Sequence, residues 1–242
     1  MTKIKGRNKW KMYQAMRKNK KLAPYLVYTK QWNKKNFNGM LSKYNAIVVK
    51  PNNGLKARSI YFISKKNSGF KVQIYERKYF FSTSENVYDF MKKRTQRVSY
   101  IIQNHIDMEK INDRPFDIRV IIQRRSIAYP WTVTAYKVRV AGAGKMVTNA
   151  SKGGRILTFK DAMQKCDIPN QVQGHLLERL KYVSIIASLT LSKYYPYKRL
   201  FGIDIGIKKD GSLHIFEINR QPLLRGFSKY QQRKIRRFKH PK

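Results

Sequence analysis

A chain of 242 residues is long enough for one large domain or two closely packed lobes, and its 42% hydrophobic and 13% aromatic content excludes global disorder. A net charge of +40, from 53 Lys and Arg against 13 Asp and Glu, draws phosphates, nucleic acid, anionic headgroups or acidic polypeptides, and says nothing of fold. Cys166 is the single cysteine, so no internal disulfide can form, and the basic N-terminus lacks the apolar segment of a secretory signal. The longest near-apolar run, residues 182–191, is too short to span a bilayer, so a soluble intracellular protein is expected.

No Asp or Glu precedes Glu76 and none follows Glu217, which makes the ends basic arms around a balanced centre. Residues 1–40 read as a basic, partly helical arm and lead-in. Residues 46–50 (AIVVK) form a buried-type strand stopped by Pro51, and residues 59–64 and 69–77 read as further strands. Ser82 to Glu85 (STSE) is a capping box for a helix running to about Lys93. Strands over residues 116–123 and 131–140 flank a turn at Tyr129-Pro130, and Thr158 with Asp161 caps a short helix. From Gln171 to Tyr195, Val172, Leu176, Leu180, Val183, Ala187, Leu191 and Tyr194 recur at helical spacing. His175 stands alone on that helix and reads as solvent-facing or core rather than as a ligand. Residues 227–242 read as a basic tail, and the class is α+β with mostly antiparallel strands.

The segment GIDIGIKKDGSLHIFEIN, residues 202–219, carries the most chemistry. Asp210-Gly211 is the pair favoured in a two-residue hairpin turn, and a turn centred there sets Asp204 opposite Glu217, Cβ atoms roughly 5 Å apart. Asn219 shares their face. Facing carboxylates repel, and a divalent cation removes the conflict: two carboxylates and an amide oxygen are hard ligands suited to magnesium. The alternative is that each carboxylate pairs with one of the many Lys or Arg. A three-residue loop slips the register and separates the two acids.

In FDIRVIIQR, Asp117 and Arg119 share a face, as do Lys137 and Arg139 in WTVTAYKVRV; arginine forks suit phosphate oxygens, although solvent-facing charges fit the same spacing. Lys50 leads into Pro51-Asn-Asn-Gly54, a strand–lysine–glycine arrangement without Walker A spacing. The turn from Thr148 through Asn149 and Lys152 to Gly154 is a second candidate for backbone contact with phosphate. The run YERKYFF, residues 75–81, reads as core strand before base-stacking platform.

Taken in order, LAPYLVYT, VVKPNNG, YIIQNHI, RPFDIRVIIQ, WTVTAYKVRV, VTNASKGG and GIDIGIKKDGSLHIFEINRQP resemble the ATP-grasp superfamily, in its endospore coat-associated YheC/YheD-like branch. The resemblance covers residues 22–225. It implies a two-lobed ATP-grasp fold, here expected as a small lobe over 41–100, a large lobe over 101–226 and a basic tail over 227–242; the expected departure from relatives is the lack of a separate domain before the lobes. By the resemblance, Lys50 contacts phosphates, and Ile102, Gln103 and Asn104 lie in the hinge beside adenine; in the altered loop after Lys50, Lys56 and Arg58 compensate with side-chain charge. Arg139 holds the transferring group with Lys152 near it. Asp117, Arg119 and Asn149 occupy motif positions, and Asp204, Glu217 and Asn219 bind magnesium. The loop after the KP pair reads GLKARSI, with Ala57 and Ser59 where relatives carry glycine. Two functions are therefore set against each other. One is a Mg2+- and ATP-dependent carboxylate–amine (or thiol) ligase acting on an acidic peptide or polymer. The other is a non-catalytic polyanion-binding or spore-structural protein, with nucleic acid as a partner of its basic arms.

Overall fold

The computed structural model describes residues 3–54, 59–148 and 153–239, in which six α-helices and two antiparallel sheets are found. The first sheet comprises β1 (Thr29–Gln31), β2 (Ala46–Pro51), β3 (Tyr61–Lys66), β4 (Gly69–Ile74), β5 (Arg77–Phe81) and β6 (Tyr100–Asn104), in the order β1-β6-β2-β3-β4-β5. Its residues alternate: Ile47, Val49, Tyr61, Ile63, Val72 and Ile102 enter a core closed by α2 (Lys34–Lys43) and α3 (Ser84–Thr95). Period-two alternation sends Val48, Lys50, Phe62, Ile101 and Gln103 to the opposite face.

The second sheet runs β10 (Arg155–Leu157), β9 (Thr132–Val140), β8 (Arg114–Gln123), β11 (Leu200–Ile207), β12 (Leu213–Asn219), with the short β7 (Lys110–Ile111) on β8. One face packs Ile118, Val120, Ile122, Ile203 and Ile205 against α5 (Asn170–Ser192), whose Leu176, Leu180, Val183, Ala187 and Leu191 are buried as the spacing predicts. His175 is exposed. Thr158 caps α4 (Phe159–Met163) by accepting from Asp161 N at 3.1 Å.

Several expectations are corrected. The cap of α3 is Thr83 rather than Ser82, its hydroxyl accepting from Asn86 N. The strand read over 69–77 breaks where Tyr75 adopts φ 54°, and β5 starts beyond it. α2 went unread because KKNFNGMLSK is polar and contains glycine; Phe37, Met40 and Leu41 alone carry its packing. The basic ends are packed segments. In α1 (Lys9–Arg17) Met12, Tyr13, Ala15 and Met16 are buried, and Asn19 Nδ2 donates to Thr190 Oγ1 of α5 at 2.7 Å. α6 (Lys229–Lys239) opens with a reciprocal capping box, Gln231 N donating to Ser228 Oγ and Ser228 N to Gln231 Oε1. It lays Ile235 and the preceding Phe227 over Ile121 and Ala135, on the face of the second sheet opposite α5.

Candidate functional site

The hairpin of β11 and β12 confirms the facing carboxylates by a different route from the one expected. Lys208 N donates to Ser212 O, and Gly211, at φ +77°, completes a loop one residue longer than a two-residue turn. Ile207 to Ile205 pair with Leu213 to Ile215 in that shorter register. A bulge then leaves Phe216 unpaired, and from there Asp204 faces Glu217 and Gly202 faces Asn219. The loop shifts the register by one residue and the bulge shifts it back. Leu213, Ile215 and Ile218 stay in the core while Glu217 and Asn219 face away from it.

Charged side chains form a grid on the face opposite α5. One row across four strands reads Glu217, Asp204, Arg119, Lys137; the next reads Gly206, Asp117, Arg139. Asp117, Arg119, Lys137 and Asp204 are all buried. Burial of isolated ions is costly, so each needs partners. Arg119 grips both oxygens of Asp204, through Nε and through Nη2 at 2.8 Å. Arg139 grips both oxygens of Asp117 at 2.6 Å and reaches Asp204 Oδ2 at 3.1 Å; Thr148 Oγ1 donates to Asp117 at 2.6 Å. Burial alone would raise the Asp204 pKa, yet Arg119 and Arg139 outweigh it and hold the carboxyl below its usual range. Asp117 goes the other way: burial prevails over Arg139, and its pKa is raised. Lys137 donates to Arg225 O at 2.6 Å and lies over the Phe227 ring; burial, then Arg119 and Arg139, lowers its pKa to about 8.

Lys50 joins the two sheets. Its ammonium donates to the carbonyl of the bulged Phe216 at 3.1 Å, and burial, against the pull of Glu217, lowers its pKa to about 8. Lys9, at the start of α1, was not singled out in the sequence, hidden among many lysines. Its Nζ lies 3.5 Å from Glu217 Oε1 and donates to Gly54 O at 2.9 Å. The start of α1 is stapled to the loop after Lys50, because Lys9 N and Trp10 N donate to Asn52, whose own amide donates to the capping Asn8. A cavity of about 40 Å³ remains beside Lys9, Lys50, Ile101, Gln103, Phe216 and Glu217. A second, of about 160 Å³, lies between Phe62 of β3, the flanking Ile60 and Tyr75, and Met146 and Val147 beyond β9.

The hinge residues are divided by the pleat. Ile102 pairs with Val49 and is buried in the first sheet's own core, so its side chain belongs to packing, whereas Ile101 pairs with Lys50 on the open face. Gln103 Nε2 donates to Thr29 Oγ1 at 2.8 Å. Asn104 pairs with Ile47 and so shares the face of Ile102, its Oδ1 buried with no donor among the described residues. Lys56, Arg58, Asn149 and Lys152 lie outside the described residues. Ser59 takes φ 53°, the left-handed conformation that glycine takes most readily, in line with the glycine expected there. Among the described residues no group of three His, Cys, Asp or Glu is placed to hold a metal ion; Asp204 and Glu217 face each other, with the Asn219 amide on the same face.

Solved structures with this architecture define its class. The ADP complex of purK, an N5-carboxyaminoimidazole ribonucleotide synthetase, superposes with a TM-score of 0.54 at 12% identity, covering 96% of this chain and 51% of that one. The ATP-grasp ligase PsnB, complexed with a minimal precursor, gives 0.50 at 13% identity over 91% of this chain and 54% of that one. The C-terminal domain of K. lactis Pby1, an ATP-grasp enzyme interacting with the mRNA decapping enzyme Dcp2, gives 0.53 at 14% over 94% and 68%. The fold is that of the ATP-grasp proteins. Within it, residues 1–240 match the YheC/D-like ATP-grasp family model, and the chain belongs to that family. The endospore coat-associated proteins YheD and YheC of Bacillus subtilis (strain 168) are 25% and 26% identical to it, each over 89% of this chain. The chain spans 48% of YheD and 60% of YheC.

Proposed function

We propose that the chain binds magnesium-ATP between its two sheets and uses it to activate a carboxylate for attack by an amine. The observation that carries this reading is Lys50, on the first sheet, meeting the Phe216 carbonyl beside Glu217 and Asp204 on the second. Around that meeting point Lys9, Lys50, Arg119, Lys137 and Arg139 outnumber Asp117, Asp204 and Glu217 by two charges, and magnesium-ATP brings roughly two negative charges. The site thus fits the metal–nucleotide unit better than the bare ion. Glu217 and Asn219, with Asp204 behind them, would hold magnesium, which supplies charge neutralisation at the phosphates.

Lys9 and Lys50 bind phosphate oxygens, the backbone of residues 101–104 lies beside adenine, and Arg139 faces the transferring phosphoryl group. A substrate carboxylate oxygen attacks the γ-phosphorus; the bond to the β–γ bridging oxygen breaks, and ADP leaves. The amine nitrogen then attacks the acyl carbon, phosphate departs with the C–O electron pair, and the amine gives up a proton. Positioning and electrostatics suffice, so no side-chain nucleophile is needed. The acidic substrate and a place in the spore coat extend the same proposal, the latter from the names of the relatives.

A second reading has its own observation. The Arg119–Asp204 and Arg139–Asp117 pairs satisfy one another without any ligand, as a retired site on a polyanion-binding protein would. Thermal unfolding with magnesium-ATP separates the two. Nucleotide at a hundred times its Kd stabilises by about 2.7 kcal/mol, and Glu217→Gln should remove that gain while the ligand-free protein unfolds as before. Wild type indifferent to magnesium-ATP would overturn the nucleotide reading.

A further inference from the structure

We infer that the exposed face of α6 is a docking surface for an acidic polypeptide, lying on the same side of the second sheet as the charged grid. Six of the eleven residues in KYQQRKIRRFK are Lys or Arg. Lys229, Arg233, Lys234, Arg236 and Arg237 are exposed, and among the described residues no ion pair involves any of them. The spacing makes the helix repel itself: Arg233 stands four residues from both Lys229 and Arg237 and three from Arg236. The helix is nevertheless held in place, by its capping box, by buried Ile235, and by Gln231 donating to Tyr136 O and Gln123 to Ile235 O. A fixed row of unneutralised cations is a binding surface for a row of anions.

Two placements tie this surface to the charged grid, where the ligase reading calls for a carboxylate rather than a phosphodiester. Phe227, which anchors the start of α6, lies under the Lys137 ammonium at 4.3 Å, and Lys137 in turn donates to Arg225 O, so the basic helix is continuous with the row that holds Arg119 and Asp204. Arg225 itself is exposed at that junction and continues the basic surface toward the grid. A chain carrying side-chain carboxylates along α6 would therefore run toward the grid and present one of them there, which rests on the ligase reading. The helix is about 16 Å long, matched by about five extended residues.

The test uses the full chain and a fluorescent oligoglutamate of about fifteen residues, with a single-stranded oligonucleotide of equal charge as comparison. The variant Lys229→Gln/Arg233→Gln/Lys234→Gln/Arg236→Gln/Arg237→Gln should lose about tenfold or more in peptide affinity, since each exposed contact is individually weak but they act together. Lys18→Gln/Lys20→Gln/Lys21→Gln/Lys92→Gln/Lys93→Gln, an equal loss of charge elsewhere, should lose less than about twofold. Equal losses in the two variants would overturn the proposal, as would tighter binding of the oligonucleotide through the same five residues. Hydrogen exchange on wild type guards against a misfolded variant: protection of α6 by the peptide supports docking, and its absence rejects it. Magnesium-ATP stabilisation should survive in the α6 variant; a wild type that binds the peptide but gains no stability from magnesium-ATP would sink the ligase reading and leave the docking surface standing.

Discussion

Lys9 Nζ stands 3.5 Å from Glu217 Oε1, with the Gly54 carbonyl on its other side at 2.9 Å, so one ammonium ties the first helix, the loop after Lys50 and the acidic hairpin together. A cation entering at Glu217 must share or replace this contact, and the freed ammonium lies beside the place proposed for phosphate. Lys9→Met should weaken magnesium-ATP by about ten- to a hundredfold, the worth of a charge-assisted bond. Isothermal titration reads this directly, and an unchanged affinity would take Lys9 out of the site.

Bare magnesium should bind poorly. Both oxygens of Asp204 are already held by Arg119 and Arg139, and Glu217 faces Lys9. Titrating Mn2+ by its paramagnetic effect on water relaxation should show little binding without nucleotide and one strong class with ATP. Tight binding of the bare ion would mean that the arginines yield more readily than their geometry implies.

Affinity for magnesium-ATP should fall as pH rises through about 8, where Lys50 and Lys137 lose their protons in the folded protein. Ligand-free stability moves oppositely. The unfolded lysines keep their protons up to their ordinary value of 10.5, so between about 8 and that value the unfolded state binds more protons and stability rises with pH. Nucleotide titrations at several pH values check the first effect and denaturant unfolding the second; Lys50→Met should flatten part of both.

Gly206→Ala should disturb the site from outside the charged groups. A Cβ there would sit 2.3 Å from the Phe216 ring, and moving that ring shifts the bulge whose carbonyl holds Lys50. A loss of about 1–3 kcal/mol is expected for such overpacking, with weaker nucleotide binding. Chemical denaturation and a magnesium-ATP titration measure the two.

Much of this was legible in the sequence because periodicity and ordered motifs report backbone geometry. The apolar spacing of α5 and the alternation of β8, β9 and β11 follow from the faces that these elements bury. Lys50 and Asp204 were legible as polar residues that end or interrupt apolar strands. That the Ile102 side chain enters the first sheet's core was not legible, because a motif gives position along the chain, whereas the pleat decides which neighbour a side chain faces. Lys9 escaped because its distinction is a contact with a residue more than two hundred positions away. The α6 capping box, Ser228 to Gln231, was present as SKYQ and passed over in a run dominated by charge.

The bulge at Phe216 makes the hairpin's loop length and strand length interdependent. Without the bulge, the three-residue loop would set Phe216 opposite Asp204 and turn Glu217 toward the core. The chain between Asp204 and Glu217 therefore fits either a two-residue loop with an unbulged second strand or a three-residue loop with one bulge. Among homologous hairpins of this length, the loop and the bulge should change only together.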